Sequence, residues 1–360
     1  MSRTWVRLRR SFAEGMVGRL LSRVPGARFV VVGLPVLAIL VLLGMAWRGE
    51  SAARRVEAGW SIVLNPDVDG PPWLPRAGRG TNASGFHDVE RTQLPAAGVS
   101  RVIVVGDALT WGMQVPRDAT FTRVAEDILR GEGRSIEILN FGVPGYDIDA
   151  AARMILSVVP GWAPARIVYA FSSDDAHPRM VVHPDTVGSV RFVGLTPPAG
   201  VESPDRWLLA HSAWMRQRFG QAAEAAWVPM KANEADRVHH AVLSRGVTEL
   251  VAAAGATPLS VFTLAPAALA GTDISVCNER LHSRYGCAWH AEQITEVTHL
   301  FGEKRIPVTD GLTAIKTLSV DVVSFGDDDP DNVSIAGHAA LGAALADALR
   351  QTLPVSPVPP

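Results

Sequence analysis

The chain predicts an α/β fold: a three-layer sandwich with helices on both faces of a five-stranded parallel sheet, preceded by one N-terminal transmembrane helix. Two observations carry this. Short apolar, often β-branched runs ending in Gly-, Asp- or Ser-containing turns alternate with helical stretches. Such alternation makes successive strands parallel and covers the sheet on both sides. The second is Phe29 to Trp47, nineteen residues without a charge. At 1.5 Å per residue this run spans about 28 Å, enough to cross the hydrocarbon core.

The elements follow in order. Residues 1–28 form a basic tail, with Arg3, Arg7, Arg9, Arg10, Arg19, Arg23 and Arg28 against the single acid Glu14. Residues 29–47 are the span, in which Pro35 is tolerable. A cleaved signal peptide fits less well, because its charged region is shorter and its apolar run is usually 7–15 residues. The arginine-rich flank belongs on the cytoplasmic side, so the rest of the chain lies outside the cytoplasm. Residues 48–80 read as a juxtamembrane linker, where Pro66, Pro71, Pro72 and Pro75 argue against a packed core. From 81 to 352 runs the folded domain, and 353–360 is a Pro-rich disordered tail.

Within the domain, Val102 to Val105 is a buried strand, followed by a helix over 118–129. A second strand covers 136–140 and a helix 146–158; a third strand covers 166–171. Residues 176–235 interrupt the rhythm as a partly helical insertion carrying Trp207, Trp214 and Trp227, read as a local core. A long helix over 235–255, a fourth strand over 258–264, a helix over 290–302, a fifth strand over 306–309 and a closing helix over 335–349 complete the pattern.

Composition excludes some functions. The formal net charge is −2, so no basic field points to nucleic acid. Hydrophobic residues make up 48% and charged residues 19%, on the apolar side for a purely soluble chain. The two cysteines, Cys277 and Cys287, have nine residues between them. Outside the cytoplasm they predict a disulfide worth about 2–3 kcal/mol by loop entropy; two free buried cysteines are the alternative. Neighbouring His282 and His290 lack a zinc-site spacing.

Four blocks carry candidate chemistry. Gly106-Asp107-Ala108-Leu109-Thr110-Trp111-Gly112 closes the first strand, and Asn140-Phe141-Gly142-Val143-Pro144-Gly145-Tyr146 closes the second. Phe171-Ser172-Ser173-Asp174-Asp175 closes the third. Asp329-Pro330-Asp331-Asn332 precedes Gly337-His338. The carboxyl ends of the strands are where an open α/β sheet holds ligands.

In order, these blocks resemble those of the SGNH (GDSL-like) hydrolases, whose first block is Gly-Asp-Ser-x-Thr-x-Gly. Asn82-Ala83-Ser84-Gly85-Phe86-His87-Asp88 is similar to the Asn-x-x-Gly-Phe-Arg-Asp segment of membrane-anchored members, with His87 where arginine is usual. The resemblance implies a flavodoxin-like sheet and a site at Ala108, Gly145, Asp174, Asp329 and Asn332. Ala108 stands where it places the nucleophilic serine, and Asn332 where it places the catalytic histidine. Gly145 matches an oxyanion-hole glycine, Asp174 replaces the oxyanion-hole asparagine, and Asp329 matches the orienting acid.

Acyl transfer by that route needs a hydroxyl, an imidazole and a carboxylate to orient it. Ala108 has no hydroxyl, and the Asn332 amide does not titrate near pH 7. An ionised Asp174 is acceptor-only and opposes a developing oxyanion. The expected protein is therefore a degenerate, non-catalytic member on a bacterial cytoplasmic (inner) membrane, its domain extracytoplasmic. It would bind a glycan or acylated ligand, or an envelope protein partner, through Asp107, Ala108, Gly145, Asp174, Asp175 and Asp329. No cofactor is called for. Asp327, Asp328 and Asp331 add to the acidic character, but no tight ligand spacing marks a metal site. The alternative is an active esterase or O-acyltransferase with a rearranged site, using Thr110, Ser172 or Ser173 with His177 or His183. His338 reads as a packed or capping residue.

Overall fold

The computed structural model describes residues 34–57, 62–64, 70–71, 73–78, 80–176, 181–184, 190–193, 212–215, 232–270, 274–281, 286–325 and 331–353. The basic tail, Trp207, Trp227, His177, Asp327 to Asp329 and residues 354–360 lie outside these. The chain divides into two units, 1–58 and 59–360.

In the first unit, helix α1 (Leu34–Glu57) is long and apolar enough to cross a membrane. Leu37, Leu40, Leu42, Leu43, Met45 and Trp47 are all more than half exposed. The helix continues beyond Trp47, where a linker was expected. Arg48 to Glu57 contains good helix formers, and Arg54 Nε donates to Glu50 Oε1 at 2.7 Å across one turn.

The second unit opens with the antiparallel pair β1 (Ile62–Leu64) and β2 (Trp73–Pro75). The segment read as a linker therefore includes packed residues: Trp73 is fully buried, edge-on to Tyr146 at 5.6 Å. Prolines ended the regular pattern there without preventing an aromatic anchor.

The central sheet holds β3 (Ser100–Gly106), β4 (Ile136–Gly142), β5 (Arg166–Ser172), β8 (Leu259–Leu264) and β9 (Val308–Asp310). All pairings are parallel, in the order β4-β3-β5-β8-β9. Counted along the chain this is 2-1-3-4-5, the flavodoxin-like order expected. Val102 to Val105 are completely buried, as a strand covered on both faces requires. The intervening β6 (Val181–Pro184) and β7 (Val190–Val193) form an antiparallel hairpin in the insertion expected to be partly helical; β-branched Val181, Val182, Val190 and Val193 favour strand.

The chain leaves β3 in one direction and returns past it to β5. Right-handed crossovers then place α3 (Phe121–Gly131) and α4 (Ile148–Ser157) on opposite faces. Helix α10 (Ile335–Thr352) packs along α3, and α5 (Ala232–Ala254) along α4. Helix α6 (Ile274–Arg280) and α7 (Cys287–Glu303) are joined by the Cys277–Cys287 disulfide.

Strand β4 is an edge, and side chains take the place of a neighbouring strand. Glu126 Oε2 accepts from Ile138 N at 2.7 Å, and Asp88 Oδ2 accepts from Asn140 N at 3.2 Å. Arg91 Nη2 donates to Ile138 O at 3.2 Å and to Glu126 Oε2 at 2.8 Å. These buried charges satisfy backbone groups that would otherwise invite another strand.

Candidate binding crevice at the carboxyl edge of the sheet

At the end of β3, Asp107 caps a one-turn helix, α2 (Ala108–Trp111), its Oδ1 accepting from Leu109 N at 2.9 Å. Asn140 fastens this turn to β4: Nδ2 donates to Thr110 O at 2.9 Å, and Oδ1 accepts from Gly142 N at 2.9 Å. Gly142 is required here, since a Cβ would lie 2.3 Å from Trp111 N. His87 stacks on Trp111 at 5.3 Å, and its Nδ1–H donates to Trp111 O at 2.8 Å. Ala108 is half-buried.

After β4, Gly145 takes a left-handed φ of +82° that suits glycine. Trp73 Nε1 donates to Pro144 O at 3.2 Å, while Tyr146 Oη donates to Trp73 O at 2.6 Å. Thus β2 clamps the loop that presents Gly145. Asp147 then caps α4, accepting from Ala150 N at 2.8 Å.

After β5, the chain makes a tight turn over Ser173–Ala176. Asp175 is buried, and its Oδ2 accepts from Tyr169 Oη at 2.8 Å and Ser172 N at 3.1 Å. Its Oδ1 has no hydrogen-bond partner among the described residues. Burial first, then the charges of Asp107 and Asp174, push this carboxyl well above the usual carboxylate range. Asp174 is half-buried and accepts from Ser172 Oγ at 2.5 Å. One carboxylate oxygen from each of Asp107, Asp174 and Asp175 falls within 4.8 Å of the other two.

The same turn carries Ser173, whose Oγ lies 2.7 Å from His290 Nδ1 on α7. Both residues are buried, 0% and 2% exposed. Desolvation lowers the imidazole to a pKa of about 4, against an opposing pull from Asp174, so it is neutral at pH 7. Trp289 packs edge-on to His290 at 4.9 Å, and His239 edge-on to Trp289 at 5.0 Å.

The crystal structure of the lipase/acylhydrolase from Enterococcus faecalis superposes with a TM-score of 0.46 and 13% identity, over 71% of this chain and 98% of that one. The inhibitor-bound M. smegmatis aryl esterase gives 0.42 and 15%, over 71% and 100%. A G-D-S-L family lipolytic protein from Desulfitobacterium hafniense DCB-2 gives 0.39 and 11%, over 69% and 99%. No protein-family model and no curated protein sequence matches the chain. The fold is an α/β sandwich on a five-stranded parallel sheet.

On this frame, Asp107, Asp174 and Asp175 come together at the carboxyl ends of the neighbouring strands β3 and β5, with Ala108 directly after Asp107. Gly145 sits on the adjoining loop. Asn332 is half-buried next to Asp331, whose carbonyl accepts from Ala267 N at 3.2 Å beside the end of β8. Asp329 lies outside the described residues, and the side chain of His183 is not among those described. Thr110 is fully buried, its Oγ1 without a hydrogen-bond partner among the described residues. His338 caps α3: its Nδ1 accepts from Phe121 N at 3.1 Å, which fixes the Nε2–H tautomer. Three residues of the site were not anticipated from sequence: Trp73, Tyr169 and His290. Trp73 stood in a Pro-rich stretch, Tyr169 inside an apolar strand, and His290 at the start of an ordinary helix; none carried a local motif.

Proposed function

We propose that this chain is a membrane-anchored, extracytoplasmic SGNH-like module that binds a ligand or partner and does not hydrolyse esters. The observation that carries this reading is the makeup of the crevice. Where the SGNH resemblance implies a serine hydroxyl there is the Ala108 methyl, and where it implies a neutral amide donor there is Asp174, facing two more carboxylates. A site lined by acceptors opposes the negative oxygen of an acyl-transfer transition state. It suits instead ligands rich in donors, such as glycan hydroxyls or amines, in cell-envelope glycan or acyl-ester metabolism. The apolar α1 with its arginine-rich flank supports an anchor, and the disulfide supports an oxidising compartment.

The test is an acyl-ester assay on the full-length chain beside the variant Ala108→Ser/Asp174→Asn/Asn332→His. Turnover by the variant and none by the parent supports the reading; turnover by the parent contradicts it.

One observation favours a second reading, an esterase with a rearranged site: the Ser173–His290 hydrogen bond supplies a hydroxyl and an imidazole in contact. Against it, both groups are buried, and an imidazole titrating at about 4 is a weak base. Ester turnover abolished by Ser173→Ala would establish this reading over the first.

A further inference from the structure

We propose that Asp107, Asp174 and Asp175 form a site for one hard divalent cation, with Ca²⁺ or Mg²⁺ as its occupant. Three carboxylate oxygens from two loops converge within 4.8 Å. Two of these residues, Asp107 and Asp175, are only 2% and 1% exposed. Proximity alone would not make a site. The second observation is Asp175 Oδ1, a buried oxygen with no hydrogen-bond partner among the described residues, on a carboxylate whose other oxygen is already held twice. A buried acceptor left in this state is costly, and a cation or a proton is what satisfies it.

The surroundings fix the carboxylates before any ion arrives. Leu109 N holds Asp107 Oδ1, Ser172 Oγ holds Asp174 Oδ1, and Tyr169 Oη with Ser172 N holds Asp175 Oδ2. Each carboxylate is thus oriented by a protein donor, an arrangement that reduces the ordering needed on binding. The donor set is all oxygen, without thiolate or imidazole, and this selects hard ions over zinc or copper. The ion would balance the negative charge of three carboxylates held this close together. The inference extends the binding reading without resting on the loss of catalysis, since its readout is the ion itself.

Calcium, magnesium and manganese chlorides titrated separately into the full-length chain by calorimetry test it. Saturable binding at one ion per chain is expected for at least one of them, weakened at least tenfold in Asp175→Asn and in Asp174→Asn. The Asp175→Asn amide oxygen still accepts from Tyr169 and Ser172, and Asp174 is half-exposed, so both variants keep the fold; circular dichroism checks this. No saturable binding of any of the three ions up to millimolar concentration, or binding unchanged in both variants, overturns the proposal. In the first case the carboxylates hold a proton instead.

Discussion

Replacing Ala108 with serine returns a hydroxyl to the end of β3 but gives it no imidazole, because Asn332 stands where the SGNH resemblance implies the base. In a comparable triad, loss of the base alone costs on the order of 10⁶ in turnover, nearly as much as loss of all members. Ala108→Ser alone is therefore expected to stay at the buffer rate in a p-nitrophenyl acetate assay; hydrolysis by this single variant would mean another base is in reach. His338 gives a second residue-level prediction. Burial, reinforced by His87, lowers it from 6.5 to about 4. Between those values the unfolded chain binds a proton that the folded chain refuses, so stability falls as pH drops from 6.5 to 4. The loss is up to about 3 kcal/mol, complete once the folded imidazole also titrates. Urea denaturation at pH 7, 5.5 and 4 should show it. His338→Asn, which keeps an acceptor near Phe121 N without titrating, should flatten the slope; an unchanged slope would assign the effect elsewhere.

At the scale of elements, the guarded edge of β4 makes the sharpest claim. Arg91→Ala leaves Glu126 and Asp88 with fewer cationic partners inside the fold and removes the donor to Ile138 O. Breaking a buried pair from one side costs about 3–5 kcal/mol, and here it also uncovers a strand edge. Lower denaturation midpoints together with light-scattering evidence of aggregation are expected; a variant as stable and monodisperse as the parent would show the edge to be protected otherwise. The sheet itself was legible because its signal is local: Val102 to Val105, Ile136 to Asn140 and Ile167 to Phe171 are apolar runs that stop at turn residues. The first three blocks were legible for the same reason, each a short string at a strand end. What escaped was contact across distance. Ser173 meets His290 across 117 positions, and Trp73 meets Pro144 across 71. Neither pairing leaves a pattern in the residues around it. Helix α2 also escaped, because one turn held by an Asp107 cap has no apolar period to read.

For the whole molecule, the proposed reading is a scaffold that keeps the frame the SGNH resemblance implies while carboxylates and a methyl stand where that resemblance implies the reactive groups. The frame is visible in Asn140, Gly142, Gly145 and the 2-1-3-4-5 strand order. The proposed anchor belongs to this scale too. If α1 spans a bilayer, the full-length chain should stay with membranes after an alkaline carbonate wash, and removing residues 1–47 should release it; extraction of the intact chain by carbonate would refute the anchor. On the proposed reading, the acidic crevice, rather than any one residue, decides what is bound.

The most direct measurement is the intact mass of the full-length chain after incubation with a fluorophosphonate, which phosphonylates a serine only when that serine is activated and accessible. An unmodified mass is predicted, since Ala108 offers no oxygen and Ser173 is buried against a weakly basic His290. A stoichiometric adduct on Ser173, Ser172 or Thr110 would contradict the account and make this chain a working hydrolase.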